Sequence, residues 1–217
     1  MIYLNQTKVV NQCRRITMNE RFFGLKKEKQ ERVINAALKV FAEHGYYHSS
    51  TDEIVKTANI SKGLLFHYFS NKIGLYGFLY DYATKVVTLE LSTHIDKNEN
   101  GYFEMYKQIL AAKGASVVRF PYLFAFLKKA DEEKDESAVE EIHERRDKYA
   151  RIMQALKEKT DITIFSGGTD YNKLWDVLDF TVEGLLERNI RNGSFRADLF
   201  MAEATEYVDM IQKMVLT

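Results

Sequence analysis

Apolar residues recur at intervals of three and four along most of this chain, and this spacing predicts α-helices. In the segment KKEKQERVINAALKVFAEHG, residues 26–45, Lys39 and Glu43 lie off the apolar stripe. Gly45 follows the stripe and should end the helix, because glycine readily adopts the left-handed conformation found at helix ends. An amphipathic helix is therefore predicted over residues 26–45, with its apolar face formed by Val33, Ile34, Ala37, Leu38, Val40 and Phe41.

A capping box indicates where a second, shorter helix begins. Ser50 is the predicted N-cap, and Glu53 follows three residues later. Asn59 stands at the end of this helix, where a left-handed residue is often needed and asparagine is the best substitute for glycine. Ile60 then fills the turn, and Ser61 is the predicted cap of a third helix. The spacing predicts a helix-turn-helix with the first long helix packed behind it.

The third helix, SKGLLFHYFSNK at residues 61–72, combines a basic N-terminal end with an aromatic body. A recognition helix enters the major groove of DNA by its N-terminal end. Gly63 would let the backbone approach closely, and Lys62 supplies a long hydrogen-bond donor. Leu65 and Phe69, four residues apart, are expected to face inward. An ordinary helical hairpin also satisfies this pattern, so the pattern alone leaves both interpretations open.

The rest of the chain also has helical periodicity. One proline and eleven glycines in 217 residues are few helix breakers, which predicts an all-α fold. Pro121 is expected at the first position of a helix, where its missing N–H costs nothing. The other predicted helices cover residues 73–95, 102–120, 138–159, 171–190 and 198–215.

Charge is distributed unevenly although the formal net charge is zero. Residues 1–72 carry twelve Lys and Arg against six Asp and Glu, whereas residues 73–217 carry nineteen against twenty-five. A basic N-terminal part suggests that this end meets a polyanion. The one cysteine, Cys13, excludes an intrachain disulfide and a multi-thiolate zinc site, and it suits a reducing cytoplasm.

No membrane segment or secretory signal is expected. The most apolar stretch, residues 117–127, is too short and contains Arg119 and Pro121. At the N-terminus the charges follow the apolar residues, which is the reverse of a signal peptide. Residues 1–20 are expected to be a disordered arm or an upstream extension, since Met18 is an alternative start.

The segment STDEIVKTANISKGLLFHYFSNKIGLY resembles the DNA-binding signature of the TetR family of bacterial transcriptional repressors. The resemblance extends over residues 26–80, about a quarter of the chain. It combines the first helix ending FAEHGY, the pattern T-x-x-I-x-x-x-A, and SKG-x-L-x-x-Y-F-x-N-K leading into an aromatic-rich helix. The resemblance implies a homodimer that binds double-stranded DNA and whose all-α C-terminal domain binds a small effector.

The resemblance also implies a domain division and a set of DNA contacts. The division is an arm at 1–22, a three-helix DNA-binding domain at 23–72 and a helical effector-binding and dimerisation domain at 73–217. By position, Thr51 would contact phosphate, and Tyr68 and Lys72 would hold the DNA backbone. The expected interface is completed by Ser61, Lys62, Gly63, Leu64, Phe66 and His67.

Two positions depart from the family pattern. Leu64 stands where many members carry Thr, Ser or Asn, so a polar contact would be replaced by apolar contact with a thymine methyl group. Ile73 and Gly74 stand where an acidic residue and then alanine or another acid are usual. Gly74, without a side chain to pack, is expected to act as a pivot at the start of helix 73–95.

Dimerisation is expected through helices 171–190 and 198–215, which in the family pair with their twins. Trp175 and the many leucines favour this interpretation over one in which the helices only close the monomer core. For an apolar effector, the candidates among many aromatic residues are Tyr106, Phe124, Tyr149 and Trp175. No metal or cofactor is predicted.

Enzymatic motifs are absent from the sequence. HERRD at 143–147 lacks the second histidine of the zinc-protease motif, and SGG at 166–168 is not followed by Lys and Ser or Thr, as a phosphate loop requires. The helix-turn-helix pattern and the resemblance to the TetR family predict a DNA-binding transcriptional regulator. The alternatives are a DNA-binding protein without sequence preference, which a salt-sensitive affinity with no preferred site would support, and a small helical enzyme that borrows the fold.

Overall fold

The structure, a computed structural model, describes residues 20–165, 168–191 and 195–216. Its main elements are helices, and in these residues strand-like pairing is limited to one isolated bridge between Gly101 and Asp161. The helices are α1 (Lys27–His48), α2 (Thr51–Ala58), α3 (Lys62–Phe69), α4 (Lys72–His94), α5 (Tyr102–Arg119), α6 (Leu123–Asp131), α7 (Glu136–Glu158), α8 (Tyr171–Arg191) and α9 (Ala197–Leu216).

The all-α prediction is confirmed, and most helices begin and end within one or two residues of their predicted bounds. Within α1 the helical conformation is interrupted at Gly45, which has φ 68° and ψ −177°. The prediction for Pro121 is wrong: Tyr122 is the N-cap of α6, and Pro121 lies in the turn before it. A turn suits proline because its ring fixes φ at a value that turns use.

The described residues form two compact units. The first contains residues 20–83 and 122–145, and the second contains residues 84–121 and 146–216 as far as they are described. Of the predicted arm, residues 1–19 lie outside the described residues, and so do Cys13 and Met18. The predicted boundaries at residues 22 and 72, which separate the arm, the DNA-binding domain and the effector-binding domain, stay a prediction.

The first unit has a core of aliphatic residues from α1 and α2 and an aromatic cluster around Phe22. Phe22 is fully buried. Its ring centroid lies 5.7 Å from that of Tyr68, 5.0 Å from that of Phe69 and 5.4 Å from that of Phe78. Residues 20–22, which the sequence assigned to the arm, therefore include a residue that packs against α3.

The second unit has a core in which α8 packs with α5. Trp175 is only 5% exposed, and its ring contacts those of Tyr102 and Tyr106 at 5.4 and 5.1 Å. Trp175 therefore belongs to the core of the single chain and gives no support to a dimer interface. The same holds for the other residues on the regular apolar face of α8, which are all buried: Leu174, Leu178, Val182, Leu185 and Leu186.

The length and hydropathy of the helices bear on membrane insertion. Within the part of the chain that the structure describes, no single helix is both long enough and apolar enough to cross a membrane. The consecutive helices α5 and α6 have enough apolar length for a membrane span only when the two are taken together.

Candidate nucleic-acid interface

The turn between α2 and α3 has the geometry that the sequence predicts. Asn59 is left-handed, with φ 51° and ψ 55°. The N–H of Ile60 donates to the carbonyl of Val55 at 3.0 Å, and the N–H of Asn59 donates to that of Lys56 at 3.2 Å. These bonds satisfy carbonyls that the end of α2 would otherwise leave free. Arg32 adds a further bond from its Nε to the Ala58 carbonyl at 2.8 Å.

Both predicted N-caps are confirmed. Ser50 Oγ accepts a hydrogen bond from the N–H of Asp52, and Ser61 Oγ accepts one from the N–H of Leu64, both at 3.2 Å. Glu53, the predicted second residue of the capping box, contacts α1, where its carboxylate lies 3.4 Å from His44 Nε2. With Glu43 these two residues form an exposed group of possible metal ligands within 4.8 Å of one another.

Helix α3 divides clearly into an inner and an outer face. Leu65 and Phe69 are 0% and 4% exposed, as predicted. Lys62, Gly63 and His67 are exposed. Ser61 is also exposed, and Thr51, Leu64 and Phe66 are partly exposed. The interior therefore fixes the helix while its N-terminal end and one side remain available to a partner.

Gly63 is not required by packing within the chain. A Cβ atom built at this position would meet no heavy atom within 4 Å. Glycine in a helix is destabilising by roughly 0.5–1 kcal/mol relative to alanine. The open space above Gly63 is what a closely approaching DNA backbone or base edge would need.

Lys62 forms an ion pair with Asp52, with 2.9 Å between Nζ and Oδ1. The two side chains are 48% and 71% exposed, so the pair contributes little to stability. Lys62 can therefore exchange this partner for a base or a phosphate at small cost.

Tyr68 and Lys72 are less available than the other candidates. Tyr68 is 8% exposed, and its ring packs against Phe22, so little of it remains for contact with DNA. Lys72 Nζ donates to the Tyr47 carbonyl at 3.2 Å and lies 4.6 Å from the centroid of the Tyr46 ring. Burial lowers the pKa of Lys72, although Asp135 and Glu133 act in the opposite direction.

The connection from α3 to α4 is a tight turn that sequence reasoning missed. Ser70 has φ 63° and ψ −51°, and the N–H of Asn71 donates to the Phe69 carbonyl at 2.7 Å, which together define a γ-turn. Asn71 Oδ1 then accepts the N–H of Gly74 at 2.8 Å and caps α4. Asparagine three residues before Gly74 is a capping signal that the sequence contained.

Gly74 is closely packed, which argues against the predicted pivot. A Cβ atom built on it would lie 2.3 Å from the Phe69 carbonyl oxygen, far inside van der Waals contact. Glycine is needed here because the turn brings this oxygen against α4. The absence of a side chain therefore reflects close packing and not freedom to move.

The four effector candidates are divided between the two compact units. Tyr106 and Trp175 pack together in the second unit, and the Tyr106 hydroxyl donates to Asp179 Oδ1 at 3.1 Å. Burial raises the pKa of Tyr106, and Asp179 raises it further. Tyr149 is partly exposed in the same unit, whereas Phe124 belongs to the first unit. Their role as effector contacts stays a prediction.

Large apolar side chains remain exposed on α8 and α9. Phe180 is 71% exposed and Met214 is 72% exposed. Phe180 lies off the most regular apolar face of α8, because that face is buried in the monomer. The exposed set comprises Val177, Phe180, Leu199, Tyr207, Met210, Met214 and Leu216.

One segment of the chain, which contains the helix-turn-helix, matches a protein-family model. Residues 33–77 match the family model described as bacterial regulatory proteins, tetR family. A curated relative, the uncharacterized HTH-type transcriptional regulator YuxN of Bacillus subtilis, is 35% identical over 95 residues, which are 40% of this chain and 32% of the relative. The fatty acid metabolism regulator protein of Bacillus subtilis is 40% identical over 47 residues, 22% of this chain and 24% of the relative. The matches thus span at most about a third of the curated relatives' length.

Solved structures are similar over most of the chain. The fatty acid degradation regulator FadR of Bacillus halodurans has a TM-score of 0.58 at 18% identity, covering 86% of this chain and 96% of that one. FadR of Bacillus subtilis, solved in complex with stearoyl-CoA, has a TM-score of 0.54 at 16% identity, covering 83% and 96%. At this identity the likeness shows the fold. Together with the family model it confirms the predicted resemblance to the TetR family and the all-α class with an N-terminal helix-turn-helix.

Proposed function

We propose that this chain, whose residues 33–77 match the TetR family, is a transcriptional repressor that a small hydrophobic effector releases from a palindromic operator. One observation carries the DNA-binding part. The N-terminal end of α3 is exposed at Lys62 and Gly63, and the helix is held from behind by buried Leu65 and Phe69. The matched family and the curated relatives are transcriptional regulators, which supports a regulator over the enzyme alternative.

The roles of the individual side chains follow from their exposure. Exposed Lys62 and His67 would discriminate between bases, whereas partly exposed Thr51 would add affinity through phosphate. Lys72 would add affinity in the same way once its Nζ leaves the Tyr47 carbonyl. Phe66 and Leu64 would offer apolar surface to thymine methyl groups. Tyr68 would contribute mainly by supporting α3, since its ring is buried.

A homodimer through α8 and α9 completes the proposal, with DNA binding at residues 23–72, effector binding and dimerisation at 73–217, and action in the cytoplasm. The exposed apolar residues of α8 and α9 support this interface, because a second copy would cover them. A two-fold dimer presents two α3 helices, so its operator should be an inverted repeat.

The DNA-binding proposal is tested by selecting duplexes from a random-sequence library with the purified protein. We expect an imperfect inverted repeat whose half-sites lie roughly 34–36 Å apart, or a multiple of one helical turn. Binding to all sequences alike, with an affinity governed only by salt, would favour the sequence-independent alternative.

The effector proposal is tested by titrating stearoyl-CoA into the complex with the selected duplex. This ligand is chosen because a structural neighbour was solved with it, and because a relative is named for fatty acid metabolism. An effector releases DNA only if it binds the non-binding conformation more tightly. Release by stearoyl-CoA but not by coenzyme A alone is expected, and no release by either would exclude this effector class.

A further inference from the structure

The break in α1 at Gly45 leaves a backbone donor at the corner before the helix-turn-helix. Gly45 has φ 68°, so the N–H of Tyr46 leaves the helical path. Glu133, from the loop between α6 and α7, accepts this N–H through Oε2 at 2.7 Å. The two residues are 87 positions apart in the sequence and belong to the same compact unit.

The Glu133 carboxylate is itself held by its own loop. Its Oε1 accepts the N–H groups of Lys134 and Asp135 at 3.0 and 3.1 Å. Burial acts to raise the pKa of Glu133, but the three backbone N–H groups outweigh it and hold the pKa below its ordinary value. The charged carboxylate is therefore the form that this geometry stabilises.

The corner leads directly into α2. Ser49 is buried, and its Oγ donates to the Tyr46 carbonyl at 2.7 Å. Ser50, the N-cap of α2, comes next, and Thr51 begins the helix. On the other side Lys72 donates to the Tyr47 carbonyl at 3.2 Å. A displacement of Tyr46 would therefore shift the end of α2 at which phosphate contact is proposed.

We infer that Glu133 is a positioning residue for DNA binding, which fixes the Tyr46 corner and thereby the N-terminal end of α2 without touching DNA itself. The inference rests on the proposed function, since it concerns affinity for DNA. It places a determinant of that affinity outside residues 33–77, the segment that matches the family model.

The test is Glu133→Gln, with Glu132→Gln as the matched control. Glutamine offers one oxygen, so it cannot accept both the Tyr46 N–H and the two loop N–H groups. Glu132 is a neighbour of the same charge whose side chain is 57% exposed and lies 3.9 Å from Lys129. Both substitutions remove one negative charge, which by itself strengthens binding to a polyanion.

The direction of the change in DNA affinity distinguishes a positioning role of Glu133 from a simple effect of its charge. Glu133→Gln should weaken binding to the selected duplex by about tenfold, the size expected when a hydrogen bond to a charged group is lost. A random duplex of equal length should lose the same factor, because the corner is proposed to act on phosphate contacts. Glu132→Gln should bind both duplexes as tightly as the unaltered protein, or slightly more tightly.

Two further measurements exclude a merely structural role. The melting temperature of Glu133→Gln should stay within a few degrees of that of the unaltered protein, while amide hydrogen exchange at Tyr46 becomes faster than in Glu132→Gln. Unchanged affinity, unchanged Tyr46 exchange, or a loss of binding that general unfolding accounts for would each overturn the inference. If the unaltered protein binds no duplex, the proposed function fails with it, whereas normal binding by both variants removes only the role of Glu133.

Discussion

Among single residues, Gly63 is not required for folding but is proposed to be required for DNA binding. Its Cβ position is open, so Gly63→Ala should leave the free energy of unfolding unchanged or raise it by about 0.5–1 kcal/mol. The added methyl group would stand between α3 and the DNA. We therefore expect the free energy of binding to the selected duplex to become less favourable by about 1–3 kcal/mol, the cost of one lost groove contact.

Denaturant unfolding and a DNA titration on the same Gly63→Ala sample measure both quantities. Stability retained together with weaker binding would locate DNA at the N-terminal end of α3. Undiminished affinity would mean that DNA does not approach this glycine.

At the scale of elements, the turn that joins α3 to α4 determines what Gly74 can do. Gly74→Ala should lower the free energy of unfolding by about 1–3 kcal/mol, because the new Cβ would press on the Phe69 carbonyl 2.3 Å away. Ser70→Gly, in the same turn, should be neutral or stabilising, since φ 63° is unfavourable for serine and free for glycine.

Thermal or denaturant unfolding of the two variants measures whether the free energy of unfolding falls in Gly74→Ala and is unchanged or higher in Ser70→Gly. A Gly74→Ala protein of normal stability, altered only in how the effector affects DNA binding, would restore Gly74 as a pivot.

For the whole molecule, substitutions at exposed and at buried apolar residues of α8 should have different effects on dimerisation and on folding. Phe180 is 71% exposed and Leu178 is fully buried, although both lie on α8. Phe180→Glu should give a folded monomer, because the charge would be buried only in the dimer. Leu178→Glu should unfold the chain or destabilise it by several kcal/mol, since there the charge enters the monomer core.

Analytical ultracentrifugation at micromolar concentration, combined with circular dichroism, distinguishes these outcomes. A Phe180→Glu protein that remains dimeric would place the interface elsewhere. A monomer already in the unaltered protein would remove the dimer and, with it, the expected inverted repeat.

The helices and the helix-turn-helix could be predicted from the sequence, because the signals that specify them are local. Ser50 and Ser61 cap helices through N–H groups two or three residues away, and Asn59 and Gly45 adopt positive φ where the spacing predicts a helix to end. Leu65 and Phe69 face inward because four residues return a helix to the same face. The resemblance to the TetR family rests on these same residues.

The sequence did not reveal which partner covers each apolar face or which distant groups meet. Periodicity marks an apolar stripe on α8 but cannot tell a monomer core from a dimer interface, so Trp175 was misassigned. Phe22 and Glu133 acquire their roles from contacts 46 and 87 residues away along the chain. Gly74 is fixed by a carbonyl that a γ-turn brings against it. Such contacts depend on where whole helices pack, which no local pattern of residues encodes.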